Sequence, residues 1–490
     1  MRLNQQNLNK LIEAGGSDNL TLPSYNRDET KIGIVHIGLG AFHRSHQAFF
    51  TEKVLNAKGG NWGISGISMR NLELQKNLQE QDCLYTLAIA DKTDEFQVIS
   101  ALKEVLVASK EADKVIARLA NPDTKLVSLT VTEKGYCLNA SGNLDTELEG
   151  IKHDIENPSE PITALGLLVA GLAQRFEAGT PAFNVIACDN LPDNGKKLQR
   201  GVIQLAKAIS AELGSWVETN VDFPNTMVDC ITPATEASTL EMVKTATGLE
   251  DAAPVQREGF DQWVIEDCLN GERPDWESVG VIFTDNVAGF EHTKLRILNG
   301  LHSTLAYLGR LCGHETVFEA VSDQQLKAFL IKLVDEEIIP TIEAPEGLDL
   351  TEYSRQIIAR FENPKIRHLL EQIGCDGSIK IPVRTLEPIN DNLKAGRSNN
   401  NALYYVVAGW IKFVVNKVKT GEQLNDPKAE LMIETIKQFN GDAEHDVKSF
   451  LTADGLIDSN LISQTDIIES VAQAYKAIVD LADVRSGLPK

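Results

Sequence analysis

A chain of 490 residues is too long for one ordinary hydrophobic core, so two domains are expected. Its 42% hydrophobic and 24% charged content is that of a soluble globular protein, while a net charge of −23 and a pI of about 4.9 argue against nucleic acid or anionic membrane as partners, since both need a basic face. The seven cysteines are scattered without a Cys-x-x-Cys pair, the N-terminal Met1–Asn7 has no apolar signal core, and the apolar stretch 162–173 is short and broken by Gly166 and Gly171. A cytoplasmic protein with reduced thiols is expected.

The first half alternates apolar β-branched runs with helical patterns. Strands are predicted at Ile32–Ile37, Trp62–Ser68, Leu126–Val131 and Phe183–Ala187, with helices at Phe42–Leu55, Ile162–Arg175 and Asn194–Leu213. Such alternation implies βαβ units and a parallel sheet, hence an α/β fold with an N-terminal Rossmann-type domain. From Lys294 onward the patterns are nearly all helical: 293–312, 323–341, 351–373, 401–418, 427–439 and 463–483, with turn residues at Ala344–Gly347 and Asn390–Asn392. The boundary falls near Asn286–Glu291. The expected domains are 1–289, dinucleotide-binding, and 290–490, helical and carrying substrate-binding and catalytic residues.

The first strand runs into Gly38-Leu-Gly40-Ala41-Phe42-His43-Arg44-Ser-His46. Strand, Gly-x-Gly and helix make the turn at which backbone approaches a pyrophosphate. His43 stands where the third glycine of that fingerprint would permit close helix–strand packing. His43-x-x-His46 also has the form of a metal pair, but no further ligand accompanies it at metal-like spacing, so no metal is expected. The second strand leads to Ser68-Met69-Arg70 without the usual ribose-binding acid. Arg70 would face a 2′-phosphate or stack on adenine, which leaves NAD versus NADP open. The third strand ends in Thr130-Val-Thr132-Glu133-Lys134-Gly135-Tyr136 and the fourth in Cys188-Asp189-Asn190, where ligands sit in parallel sheets. Glu133 and Asn190 are candidates for chemistry, Asn190 as an amide able to polarise a carbonyl; Asp193-Asn194-Gly195 reads as turn chemistry.

The densest constellation is Lys294-Leu-Arg296-Ile-Leu-Asn299-Gly-Leu-His302. At about 100° per residue, with Lys294 at zero, His302 falls at about 80° and Asn299 at about 140°, so one amine, one amide and one imidazole can project toward one pocket. A buried amine can lose its proton near neutral pH and serve as a general base, and an amide beside it can donate to a developing alkoxide. An ordinary amphipathic helix carries the same spacing.

Together these segments resemble the polyol-specific long-chain dehydrogenases. The likeness covers nearly the whole chain and rests on Gly38-x-Gly40-x-Phe42-His43-Arg44-x-His46, Ser128–Tyr136, Cys188–Pro192, Phe223–Asp229, Gln262–Asp267, Lys294-x4-Asn299-x2-His302 and Asp376-Gly-Ser-x-Lys380. The resemblance implies Lys294 as general base, Asn190 and Asn299 holding the reacting oxygen, His302 binding a substrate hydroxyl, Asp229 contacting substrate and Glu133 gating proton exchange. It implies cofactor contacts at Gly38, Gly40, Ala41, Phe42, His43, Arg44 and Arg70, with NAD as cofactor and no metal. Cys230 departs from the arginine usual after Asp229.

Within the family the catalytic half is more similar to the branch that interconverts D-mannonate and D-fructuronate, and the opening segment to the mannitol branch. An acidic protein reading a carboxylate needs fixed cations, and Arg296, Arg367, Lys380 and Arg384 are the candidates. The expected partner is a small sugar acid or polyol, and the expected state a monomer or small homo-oligomer. From another class, a Rossmann domain with a helical partner can be an NAD-sensing protein without turnover; a base and a proton gate are more than sensing requires.

Overall fold

A computed structural model describes residues 1–14, 19–91 and 93–489. The chain divides into two compact units, Met1–Ala288 and Gly289–Lys490.

The first unit is built on a five-stranded parallel sheet. Its strands are β1 (Ile32–Ile37), β2 (Gly63–Ser68), β3 (Leu102–Val107), β4 (Leu126–Leu129) and β5 (Asn184–Ala187), laid side by side in the order β3-β2-β1-β4-β5. This is the Rossmann order, in which the chain reverses direction across the sheet between β1 and β4. Every residue of β2, β4 and β5 is buried, as expected where helices cover both faces.

The helix Ala164–Ala178 shows how tightly those helices pack. The Thr163 hydroxyl caps its start by accepting the Gly166 amide (2.9 Å), and Gly179 at φ +66° ends it. Gly171 lies against Leu119 of the helix Ala108–Ala120, where a Cβ would come within 2.5 Å of the leucine. Arg175 then inserts its guanidinium among the carbonyls of Leu119 (2.9 Å), Pro181 (2.6 Å) and Thr124 (2.6 Å), and over the Phe183 ring. A single cation thus satisfies acceptors where a helix end, a loop and the entry to β5 meet.

Two further sheets lie outside the βα pattern read from the sequence. One orders Leu20–Thr21, Asp94–Ile99, Tyr85–Ala90 and Val255–Glu258; the other orders Ile282–Thr284, Gln262–Glu266 and Thr226–Asp229. The expected helix Phe42–Leu55 is two, Ala41–Ser45 and Gln47–Lys58, broken at His46 (φ −123°, ψ −82°), and that at Asn194–Leu213 is Asn194–Ile209 and Ala211–Asn220, with Ser210 capping the second.

The second unit is helical. Its centre is Asn401–Thr420, buried almost all round, as a helix apolar on every side must be. The Glu337 carboxylate accepts its Ala402 and Leu403 amides (2.9 and 2.8 Å), and Lys412 on the same helix donates to the carbonyls of Ile478, Val479 and Leu481 (2.8, 2.8 and 2.7 Å), closing the end of Thr465–Ile478. Among the described residues no helix is long and apolar enough to cross a membrane.

Several helices of this unit contain π turns, in which i→i+5 pairing adds a residue to the turn and re-phases the side chains beyond it. The helical run 287–311 has them at Leu295–Asn299 and Leu305–Gly309. A second helical run, 377–394, carries one at Pro382–Leu386 and absorbs two prolines, Pro382 and Pro388. Asn390–Asn392, expected as a loop, lies inside that helix. The stretch 351–373 is likewise interrupted: Leu350–Phe361 ends, a connection carrying His368 intervenes, and Leu370–Ile373 resumes.

Candidate active site

In the first unit the candidate residues gather at the carboxyl ends of β1, β4 and β5. Gly38 follows β1 at φ +100°, and a Cβ there would stand 2.1 Å from the Thr130 carbonyl oxygen, so only glycine fits. Gly40 differs: a Cβ would meet only the Gly38 oxygen, at 3.7 Å. The backbone is open at Gly40 and the amides of Ala41, Phe42 and His43 begin a helix, where no i−4 carbonyl precedes them.

His43 replaces the third glycine by stacking. Its ring lies flat on His36 of β1, centroids 3.5 Å apart and 15° between planes. His36 is fixed in turn by the Ser128 hydroxyl on Nδ1 (2.8 Å) and the Thr130 hydroxyl on Nε2 (2.9 Å), both at the end of β4. Burial holds both imidazoles well below their ordinary pKa, to about 3 for His36. They are therefore neutral, flat spacers, and the helix approaches the strand by one ring thickness. His46 commits its Nε2 to the Gln262 carbonyl (3.1 Å) and its Nδ1 to the Gln47 amide (2.9 Å), which leaves neither nitrogen for a metal. Among the described residues no cluster of histidine, cysteine or acid has the form of a metal site.

Arg44, expected among the cofactor contacts, is turned away from the turn. Its guanidinium donates to the Ala253 carbonyl (2.5 Å) and lies over the Tyr85 ring, whose hydroxyl donates back to the Arg44 carbonyl (2.6 Å). It welds the turn to the four-stranded sheet. Arg70 is exposed beyond β2.

Glu133 opens a short 3-10 turn, Glu133–Tyr136, and is exposed, as is Asn190 beyond β5. Between them stands Asp189. One carboxylate oxygen accepts the Thr132 amide (2.8 Å); the other accepts the Val131 amide (3.2 Å) and the Tyr136 hydroxyl (3.1 Å). Asn194, expected only as turn chemistry, is fully buried: its amide donates to the carbonyls of Asp189 and Thr226 (both 2.9 Å), and its oxygen accepts the Thr226 and Gly195 amides (2.9 and 2.8 Å). It joins the end of β5 to the strand Thr226–Asp229, whose last residue, the buried Asp229, pairs in register with Gln262. Burial pushes the neighbouring Cys230 thiol up to about 12, so it adds no charge beside Asp229, whereas the buried Arg257 lies close enough to oppose that shift.

In the second unit Lys294, Asn299 and His302 lie on one helical run, but not at plain α-helical spacing: the π turn begins just after Lys294 and Asn299 closes it. Lys294 is buried at 8% exposure. His302 is buried with its ring on Phe361 (4.5 Å) and edge-on to His368 (5.0 Å), and its Nε2 has no hydrogen-bond partner among the described residues. Burial, reinforced by His368, Arg360, Arg384 and Lys294, keeps it neutral well below its ordinary pKa.

Arg384 projects from the helical run 377–394 onto this one. Its Nη1 donates to the Asn299 carbonyl (3.3 Å) and the Ser303 hydroxyl (3.0 Å), while its Nε and Nη2 meet no protein acceptor among the described residues. Lys380, one turn earlier, gives two of its three donors to the carbonyls of Ile373 (3.2 Å) and Cys375 (2.7 Å). Arg367 is exposed. Arg296 leaves the substrate set: it is buried at 3% exposure, paired with Asp391 and bonded to the Thr341 carbonyl (2.8 Å). Sequence reasoning misses Asp189, His368 and Ser303, although Asp189 lies inside a stretch that carries the family likeness. A histidine within the otherwise apolar β1 is the available signal for His36.

Residues 32–278 match the model of the mannitol dehydrogenase Rossmann domain, and residues 286–479 that of the mannitol dehydrogenase C-terminal domain. The chain is 39% identical over 466 residues to D-mannonate oxidoreductase of Escherichia coli, covering 94% of this chain and 95% of that one. Among solved structures it is similar to a substrate-free D-sorbitol dehydrogenase (TM-score 0.91, 30% identity, 100% of both chains). It is also similar to Pseudomonas fluorescens mannitol 2-dehydrogenase in ternary complex with NAD and D-mannitol (TM-score 0.81, 36% identity, 100% of this chain and 99% of that one). With both domain models matched in order along one chain, and relatives of this identity along nearly its whole length, the protein belongs to the mannitol dehydrogenase family of oxidoreductases.

Proposed function

We propose that this protein is an NAD-dependent secondary-alcohol dehydrogenase that interconverts D-mannonate and D-fructuronate, with a lysine as proton acceptor. The observation that carries the substrate reading is Arg384. It is fixed on one side by Asn299 and Ser303, presents Nε and Nη2 without a protein partner, and has no carboxylate to neutralise it among the described residues. In a protein of net charge −23, an arginine held in place and left without an acid is a standing site for an anion. The Nε and Nη2 edge is the one that grips a carboxylate bidentately. The likeness to D-mannonate oxidoreductase points the same way.

The turn at Gly38–Gly40 fits a dinucleotide: it follows the central strand of a Rossmann-ordered sheet, and the space a side chain would take at Gly40 is open. Gly38, Gly40, Ala41, Phe42 and His43 would hold it there, with Arg70 toward its adenosine end. When bound, the nicotinamide supplies hydride acceptance or donation. Lys294 takes the hydroxyl proton on oxidation and returns it on reduction. Asn190 and Asn299 steady the reacting oxygen through their amides. His302, neutral because it is buried, offers one nitrogen as donor and one as acceptor to a substrate hydroxyl. Asp229 and the remaining donor of Lys380 complete the polar contacts, and Glu133 passes protons between Lys294 and water. A soluble cytoplasmic enzyme is the setting this chemistry suits.

The test is loss of NADH absorbance on mixing with D-fructuronate or with D-fructose at equal concentration, repeated with NADPH. Turnover confined to fructuronate with NADH supports the reading. Turnover confined to fructose transfers the protein to the mannitol branch, a second reading favoured by the likeness to mannitol 2-dehydrogenase. Preference for NADPH overturns the choice of cofactor.

A further inference from the structure

The loop that carries Glu133 is held in a conformation its sequence does not favour. Thr132 sits at φ +65°, ψ 166°, a region populated almost only by glycine, and it is a β-branched residue. Cys137, at the other end of the turn, is left-handed at φ +53°. Strain of this kind persists only where the surroundings over-determine it, and here the surroundings are largely one side chain. Asp189 accepts two successive amides, those of Val131 (3.2 Å) and Thr132 (2.8 Å), and the hydroxyl of the buried Tyr136 at the far end of the turn (3.1 Å). Burial costs this carboxylate and raises its pKa, and the three donors offset part of that cost. Its own backbone is anchored from behind by Asn194, whose amide donates to the Asp189 carbonyl (2.9 Å). The next residue is Asn190.

We propose that Asp189 is a positioning residue for catalysis: its carboxylate pulls the end of β4 into the strained turn that presents Glu133. The inference rests on the reading of Glu133 as the proton gate. A tie confined to folding would need no strained threonine; a relaxed turn would connect β4 to the following segment equally well. The three bonds act together, since two amides and one hydroxyl converge on a single carboxylate, and an asparagine cannot replace it. Its NH2 group would face an N–H or O–H donor on one side.

The test is a double-mutant cycle on the full-length enzyme between Asp189→Asn and Glu133→Gln, with kcat against pH and thermal unfolding measured for each variant. Asp189→Asn is expected to lower kcat about tenfold and to shift the pH profile in the same direction as Glu133→Gln. In the Glu133→Gln background it should lower kcat by no more than about twofold further, because residues that act through one group are not additive. Tyr136→Phe, which removes one of the three bonds and fills the same core space, should give a smaller loss with the same non-additivity; it carries the test if Asp189→Asn fails to fold. If Glu133→Gln is slow but Asp189→Asn multiplies fully upon it, Asp189 acts by another route and the inference is overturned while the gate stands. If Glu133→Gln turns over at the wild-type rate, the gate itself is wrong and the inference falls with it.

Discussion

Arg384 donates to the Ser303 hydroxyl at 3.0 Å, one helical turn beyond Asn299, and so lies fixed along the helix that carries Lys294. The contact uses Nη1 only, which decides what the rest of the guanidinium can do. Arg384→Lys keeps a positive charge but loses the planar two-donor edge, and charge-assisted hydrogen bonds of this type contribute about 1.5–3 kcal/mol. The expected result is a KM for D-fructuronate raised roughly tenfold to a hundredfold, with kcat changed less. Ser303→Ala removes one of the two contacts that fix Arg384 and should give a weaker effect in the same direction. Equal KM for wild type and Arg384→Lys would place carboxylate recognition elsewhere.

Lys294→Ala separates chemistry from binding. Loss of a positioned acid–base group costs about 10²–10⁴ in rate. Turnover should fall by that factor while NADH binding, followed by quenching of protein fluorescence, stays within about twofold of wild type, because no lysine is asked of the Gly38–Gly40 turn. Exogenous small amines should restore part of the rate. Turnover near the wild-type level would remove Lys294 as the base. Parallel loss of binding and turnover would mean that the lysine serves structure.

The two glycines of the turn make opposite predictions. Gly38→Ala drives a Cβ to 2.1 Å from the Thr130 oxygen at φ +100°, so it should cost at least about 2 kcal/mol of stability. Gly40→Ala meets nothing closer than 3.7 Å among the described residues and should melt like the wild type. If a pyrophosphate lies against Gly40, the added methyl occupies its place, and the Kd for NADH should rise about tenfold or more. Unchanged Kd in Gly40→Ala would move the cofactor off this turn.

Much of this arrangement is legible in the sequence because parallel strands buried on both faces announce themselves. β1, β4 and β5 are mostly apolar and almost wholly buried, and the glycines after β1 and the polar clusters after β4 and β5 fall where such a sheet puts ligands. Other parts cannot be read that way. Tyr85–Ala90 is a short apolar run that periodicity alone cannot assign, and its partner Asp94–Ile99 opens on two acids. The helical run 377–394 is hidden by Pro382 and Pro388, each an ordinary sign of a break, which the π turn accommodates. Arg44 and Arg296 look like ligand-binding cations because their partners, Ala253 and Asp391, lie 209 and 95 residues further along the chain. A single sequence shows a charge but not what neutralises it.

Glu52 offers a test of the fold that touches none of the catalytic groups. It is fully buried in the helix Gln47–Lys58 and accepts the Ser100 and Ala101 amides (2.9 and 2.7 Å) and the Tyr25 hydroxyl (3.0 Å) on Oε2, with the Ser100 hydroxyl on Oε1 (3.2 Å). Burial raises its pKa from an ordinary 4.5 to about 7, against the pull of those donors. A carboxyl raised in the folded state binds its proton more tightly there than in the unfolded chain. Its contribution is therefore complete below pH 4.5 and is lost as the pH rises through about 7, an effect of at most about 3 kcal/mol. Glu52→Gln keeps one oxygen for the two amides and turns its NH2 toward the Ser100 hydroxyl, which can accept. The variant should unfold at a higher temperature than the wild type at pH 8, match it near pH 5, and lose the wild-type slope between those values. A variant less stable than the wild type at pH 8 would show that the charged carboxylate is worth more to its four donors than burial costs it.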